Sequence, residues 1–141
     1  MTVLLDTNII MDALQERSPF DIEAKEILRR AQGGKDFTCL FTANAAADIF
    51  YLYSRARDMK AANAALSFLL ENYGVVSVTH EDCKVALSLL IEDFEDALVV
   101  VCARNVNADY IITRDDKLLR VDSPVKILSS KDFISIITRS F

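Results

Sequence analysis

Imidazole is almost missing from this chain: His80 is its only histidine. With Thr79 before it and Asp82 after, His80 reads as part of the first turn of a helix capped by Thr79. Ser-His and Cys-His catalytic pairs are excluded unless His80 itself supplies them, and no nucleophile motif points toward it. Hydrolysis would need another way to activate water. The three cysteines, Cys39, Cys83 and Cys102, are odd in number and never spaced as C-x-x-C. That argues against a disulfide framework and a thiolate metal site. Cys39 and Cys102 lie inside apolar runs and read as small core residues. Glycine and proline are scarce, with three and two in 141 residues, while 52% of the chain is apolar. A compact, helix-rich globule is expected rather than a disordered chain. No apolar run approaches the ~20 residues of a membrane-spanning helix. The first residues lack both the basic region and the small-residue cleavage site of a signal peptide. A cytoplasmic protein with no membrane partner is the expectation.

Positive charge is also in deficit. The net charge of −5 argues against an ordinary nucleic-acid binder with a basic face. Its distribution matters more than its sum. If five carboxylates converge on one site and hold divalent cations, the rest of the protein is formally neutral. An acidic chain can then meet a polyanion, provided metal carries the burden.

Val3-Leu4-Leu5 is a short, unbroken apolar run, the pattern of a strand buried on both faces of a parallel sheet. Asp6 puts a charge where the run stops. Thr7, Asn8 and the periodic Ile9, Ile10, Ala13 and Leu14 predict a helix beginning at once. A carboxylate between a central strand and the next helix sits at the carboxyl edge of the sheet, where open α/β folds keep their ligands. As a favoured N-cap residue, Asp6 also has a purely structural use there.

Pro19 suits the first turn of a second helix, with Ala24, Ile27, Leu28 and Ala31 inward and Gly33-Gly34 ending it. Phe37 to Phe41 reads as strand two. Thr42-Ala43-Asn44 opens a third helix that closes at Arg55 and Arg57, and Lys60 to Asn72 forms a fourth. Val75 to Val78 is a short third strand, and Glu81 to Ile91 a fifth helix. Ala97 to Ala103 carries three consecutive valines, which favours a strand. Yet Asp93, Glu95 and Asp96 before it, and Arg104 after it, complement a helix dipole, so a buried helix is predicted. Tyr110 to Thr113 and Val125 to Leu128 read as strands four and five, and Ser130 to Ile137 as a closing helix. Strands alternating with helices indicate an α/β fold around a parallel sheet. No repeat or linker divides residues 1–141, which read as one doubly wound domain.

Four acids stand out against this frame. Asp48, among small residues on helix three, has the pattern of a solvent face. Asp93 and Asp96 are three apart, hence neighbours on one helical face, although a cap and a first-turn acid would look the same. Two adjacent carboxylates repel unless a cation or a proton lies between them. Ile111-Ile112-Thr113-Arg114-Asp115 repeats the strand-then-carboxylate design of Leu4-Leu5-Asp6. In a doubly wound sheet strands one and four are neighbours, so Asp6 and Asp115 should face each other across the switch point. Helices starting at that edge could bring in Asp48 and Asp96. Hard oxygen ligands without sulfur or imidazole suit Mg²⁺ or Mn²⁺. Such ions activate water and neutralise charge at a phosphodiester.

Four stretches carry a family resemblance: L-L-D-T-N at Leu4–Asn8, T-A-N-A-A-A-D at Thr42–Asp48, D-F-E-D-A-L at Asp93–Leu98 and I-I-T-R-D at Ile111–Asp115. Together, in this order, they resemble the PIN-domain nucleases, including the small VapC-like toxin ribonucleases, over nearly the whole chain. The resemblance implies a three-layer α/β/α sandwich around a five-stranded parallel sheet in the order 3-2-1-4-5. It implies metal-dependent RNA cleavage, a cognate antitoxin protein and a homodimer. Carried over by position, Asp6, Asp96 and Asp115 resemble the core metal-binding acids, with Asp93 secondary. Thr7, Asn8 and Thr113 resemble the polar supports. Asp48 is the remaining catalytic acid and departs from the pattern, since the family usually has Glu there. It is one methylene shorter, so a bridging water would be needed to reach a metal.

RNA needs cations near the acids. Arg114, Lys117 and Arg120 lie beside the cleft in this reading and are the expected substrate contacts. Arg55, Arg57 and Lys60 read better as solvated surface charge. Real phosphate contacts would make binding salt-dependent. Two other acidic-pocket designs fit poorly. Aspartyl phosphatases need a second Asp where Asn8 stands, and phospho-accepting signalling domains want an acceptor after strand three, where Thr79 and His80 lie. The remaining alternative is a catalytically degenerate PIN-fold module that binds RNA or protein.

Overall fold

The computed structural model describes residues 1–140. Five parallel strands form its sheet: β1 (Thr2–Leu5), β2 (Thr38–Thr42), β3 (Gly74–Val76), β4 (Tyr110–Ile112) and β5 (Lys126–Leu128). Their spatial order is β3-β2-β1-β4-β5, as expected. The central strand pairs with both halves, Val3 lying opposite Cys39 on one side and Tyr110 on the other. Among the described residues seven α-helices lie between the strands, α1 (Thr7–Leu14), α2 (Asp21–Ala31), α3 (Ala43–Ala56), α4 (Met59–Asn72), α5 (His80–Ser88), α6 (Phe94–Asn105) and α7 (Asp116–Leu119), and an eighth, α8 (Ser130–Ser140), follows β5.

The period of two along β1 builds the three layers. Val3 and Leu5 enter a core with Ile9, Ile27, Phe41, Ile49 and Phe133, beneath α1 to α4 and α8. Leu4, between them, enters the opposite core with Val99, Cys102, Ile111 and Leu118, beneath α6 and α7. Asp96 to Ala103 is buried throughout, so the valine run is helical because burial on every side overrides its strand propensity.

Several boundaries moved. Pro19 precedes α2 rather than opening it, and β3 covers Gly74–Val76 instead of reaching Val78. Gly33 and Gly34, at φ 64° and 75°, supply the left-handed turn that follows α2. Thr79 caps α5 in a reciprocal capping box with Asp82. That helix ends at Ser88, short of Ile91, and the chain turns at Leu90 with φ 57°. Helix α7 was not anticipated. No helix among the described residues is long and apolar enough to cross a membrane.

Candidate metal centre

The carboxyl edge of β1 and β4 carries a fixed polar scaffold. Asp6 caps α1, its Oδ1 accepting from the Thr7 backbone N–H at 2.9 Å. Its Oδ2 accepts from the Thr113 hydroxyl at 2.8 Å and from Asn8 Nδ2 at 3.1 Å. Thr113 is fully buried, and its Oγ1 also accepts from the Asp115 backbone N–H at 3.0 Å. One hydroxyl therefore links the loops that carry Asp6 and Asp115. Asp115 in turn caps α7, accepting from the Lys117 N–H at 2.9 Å. Capping and cleft-facing roles coexist in these residues.

A cleft of about 270 Å³ is lined by Asp6, Asp48, Asp93, Glu95, Asp96 and Asp115. Asp93 caps α6 and accepts from the Asp96 N–H at 3.2 Å. Asp96 is pushed up to about 7, first by burial and then by the charges of Asp93, Asp6, Asp115 and Glu95. Burial also raises Asp6 above the usual carboxylate range, against the hydrogen bonds from Thr113 and Thr7, while Asp115 and Asp93 add repulsion. Half-buried Asp48 is inside this field rather than on a bare solvent face.

The expected acids thus share one cleft, together with one that was missed. Glu95 is raised by burial and by the charges of Asp48, Asp93 and Asp6. In the sequence it passes for a dipole-complementing residue at the start of α6. Its only signal was the density of acids in D-F-E-D.

Arg114, expected at the substrate, is committed elsewhere. Its Nε and a terminal nitrogen bind the two oxygens of Asp12 at 2.6 and 2.9 Å, and its guanidinium lies 4.3 Å from the centre of the Phe20 ring. Asp12, fully buried in α1, also meets Arg17 at 3.6 Å. Lys117 and Arg120 remain exposed beside Asp93 and Asp96.

The donors fit a divalent cation chemically. All are hard oxygens, and their mutual repulsion is the kind a cation relieves. Asn44 Oδ1 is a buried oxygen without a hydrogen-bond partner among the described residues, and Asn44 borders a small pocket with Asp6 and Glu95. As they stand, no three of the described carboxylates are close enough to close on one ion. Binding would require the side chains to draw inward.

An acid cluster at the switch point of a doubly wound sheet defines the class, and comparison gives the family. This chain belongs to the PIN domain family, whose pattern matches residues 2–117. No curated protein matches it. Among solved structures it is similar to VapBC2 from Rickettsia felis bound to a promoter DNA fragment. The TM-score is 0.70 at 19% identity, covering 92% of this chain and 98% of the other. Mycobacterium tuberculosis VapC20, described as a sarcin-ricin loop cleaving toxin, gives a TM-score of 0.68 at 17% identity, covering 82% and 92%. A toxin-antitoxin complex from Klebsiella pneumoniae gives 0.68 at 18%, covering 91% and 97%. At these identities the likeness establishes the fold.

The cluster predicts an unusual pH dependence of the metal-free protein. A carboxyl raised to about 7 in the folded state stabilises it fully below its ordinary value of 3.8 and loses that contribution as pH rises through 7. Asp96→Asn should therefore melt higher than wild type at pH 8, by about 3–8 °C, with the gap shrinking toward pH 4. Calorimetric scans across this range check it. Millimolar Mg²⁺ should raise the wild-type melting temperature more than the variant's.

Proposed function

We propose that this PIN-domain protein is a metal-dependent endoribonuclease that hydrolyses RNA phosphodiesters with Mg²⁺ or Mn²⁺. The observation that carries this reading is the convergence of Asp6, Asp96 and Asp115, joined by Asp48, Asp93 and Glu95, in one cleft where burial first and the neighbouring charges second raise Asp96 to about 7. Asp6, Asp96 and Asp115 would hold the ion, with Asp93 and Glu95 at its margin. When bound, it supplies an activated water and neutralises charge on the phosphate. The chain's own part is placement. Thr113 and Asn8 hold one Asp6 oxygen and the Thr7 N–H holds the other, and Thr113 ties the Asp115 loop to the same point. Lys117 and Arg120 would meet the RNA backbone.

The toxin-antitoxin complexes among its structural neighbours support an antitoxin partner, and we place this chain as the toxin of such a pair, acting as a cytoplasmic homodimer. The exposed Tyr51 and Leu52 of α3 offer apolar surface for assembly. Calorimetric titration with Mg²⁺ or Mn²⁺, combined with RNA cleavage by the same samples, tests the activity. Binding without cleavage would turn attention to the target RNA or a retained inhibitor. A wild type that binds no metal would overturn the catalytic reading and leave a binding module on a nuclease fold.

Asp48 gives a second check. Asp48→Glu restores the reach of a longer carboxylate, and cleavage should rise about tenfold in kcat/KM, a gain of about 1.4 kcal/mol in transition-state stabilisation. Kinetics on one defined oligonucleotide would show it.

A further inference from the structure

Next to the acidic cleft lies a larger cavity, about 580 Å³, between residues 89–93 and α7 with the turn after it. Asp93 and Asp96 line both spaces, so the cavity opens onto the proposed reaction centre. Its size is in the range of small-molecule sites. Three kinds of surface meet in it. Leu90, Ile91 and Val121 are apolar, and Leu90 stands 91% exposed on a left-handed backbone that side chains rarely adopt. Lys117 and Arg120 are exposed cations that make no ion pair among the described residues. Glu92 and Asp122 are exposed carboxylates.

We propose that this cavity is the subsite for the nucleotide beside the scissile phosphate, and that it selects bases bearing an exocyclic amino group. Lys117 and Arg120 bind the nucleotide's phosphate, as paired cations do. The apolar side chains cover the face of the base, a surface every base presents. Glu92 and Asp122 can only accept hydrogen bonds when ionised, so they favour the amino groups of cytosine, adenine or guanine. Uracil offers the carboxylates only its N3–H, flanked by two carbonyl oxygens that they repel, and is disfavoured. The position beside the scissile bond rests on the nuclease reading, whereas nucleotide binding does not.

Amide spectra of ¹⁵N-labelled Asp6→Asn protein, titrated with CMP and with UMP, test the binding directly. CMP should shift the amides of residues 89–92 and 117–122, and UMP should bind about fivefold more weakly. Lys117→Ala with Arg120→Ala should weaken CMP about tenfold. In the wild type the same pair should raise KM for a defined single-stranded RNA about tenfold while kcat holds within about twofold. No shifts in these segments, or shifts centred on Arg55 to Lys60, would overturn the subsite. Equal binding of CMP and UMP would overturn the base selection. If the wild type binds neither Mg²⁺ nor Mn²⁺ and cuts no RNA while CMP still binds here, the nuclease reading fails and the nucleotide site stands.

Discussion

Asp6→Asn is expected to lower RNA cleavage by about 10²–10³-fold, the loss typical of removing one preorganised electrostatic group. The substitution keeps one acceptor oxygen for Thr113 or the Thr7 N–H but removes the charge. Burial and neighbouring acids already disfavour that charge in the metal-free fold. Activity and stability should therefore move in opposite directions, with cleavage lost and the melting temperature of the metal-free variant equal to wild type or higher. Single-turnover cleavage and thermal scans on one preparation check both. A variant that loses activity by unfolding would show Asp6 to be chiefly a helix cap.

Arg114→Ala is expected to cost about 2–4 kcal/mol, toward the lower part of the range for breaking a buried ion pair, because it removes both close hydrogen bonds to a buried carboxylate and leaves only a longer ion pair. The asymmetry of the pair decides which partner matters more. The Asp12 side chain is 1% exposed, whereas those of Arg114 and Arg17 are 35% and 37% exposed. Removing Arg114 leaves Asp12 with Arg17 alone, at 3.6 Å. Removing Asp12 leaves two arginines that can turn to water. Asp12→Ala should thus cost less than Arg114→Ala, and the double variant less than the sum of the two. Urea denaturation of the three proteins measures this. Equal losses from both single variants would refute the burial argument. Arg114 also sits between Thr113 and Asp115, so the variant should lose cleavage even where it remains folded.

The shared acidic cleft and the β1–β4 neighbourhood were legible because their signals are local, whereas the full strand order came with the family resemblance. Leu4-Leu5-Asp6 and Ile111-Ile112-Thr113-Arg114-Asp115 each place an apolar strand before a carboxylate, and in a doubly wound sheet these two strands are neighbours. The helix at Phe94–Asn105 was readable because its charged ends outweighed three valines. What escaped depends on distance. Asp12 and Arg114 lie 102 positions apart, and no spacing rule joins a helix residue to a loop so remote. Arg114 consequently looked like a cation waiting for RNA. Glu95 was hidden differently, since a first-turn acid and a cleft acid are written the same way. Helix α7, four residues long, was too short for periodicity to show.

The hydrogen bond from Thr113 to Asp6 spans 107 positions. Protein synthesis delivers these groups in sequence. While a chain grows on the ribosome, β1, β2 and β3 can emerge with Asp6 and Asp48 long before α6 and β4 exist. Contacts of such separation form late, after the cost of closing a long loop has been met. The nascent chain therefore carries only part of its acid cluster until residue 115 has cleared the exit tunnel. Under the proposed nuclease reading, this topology delays assembly of the reactive centre until β4 and the Asp115 loop have joined β1.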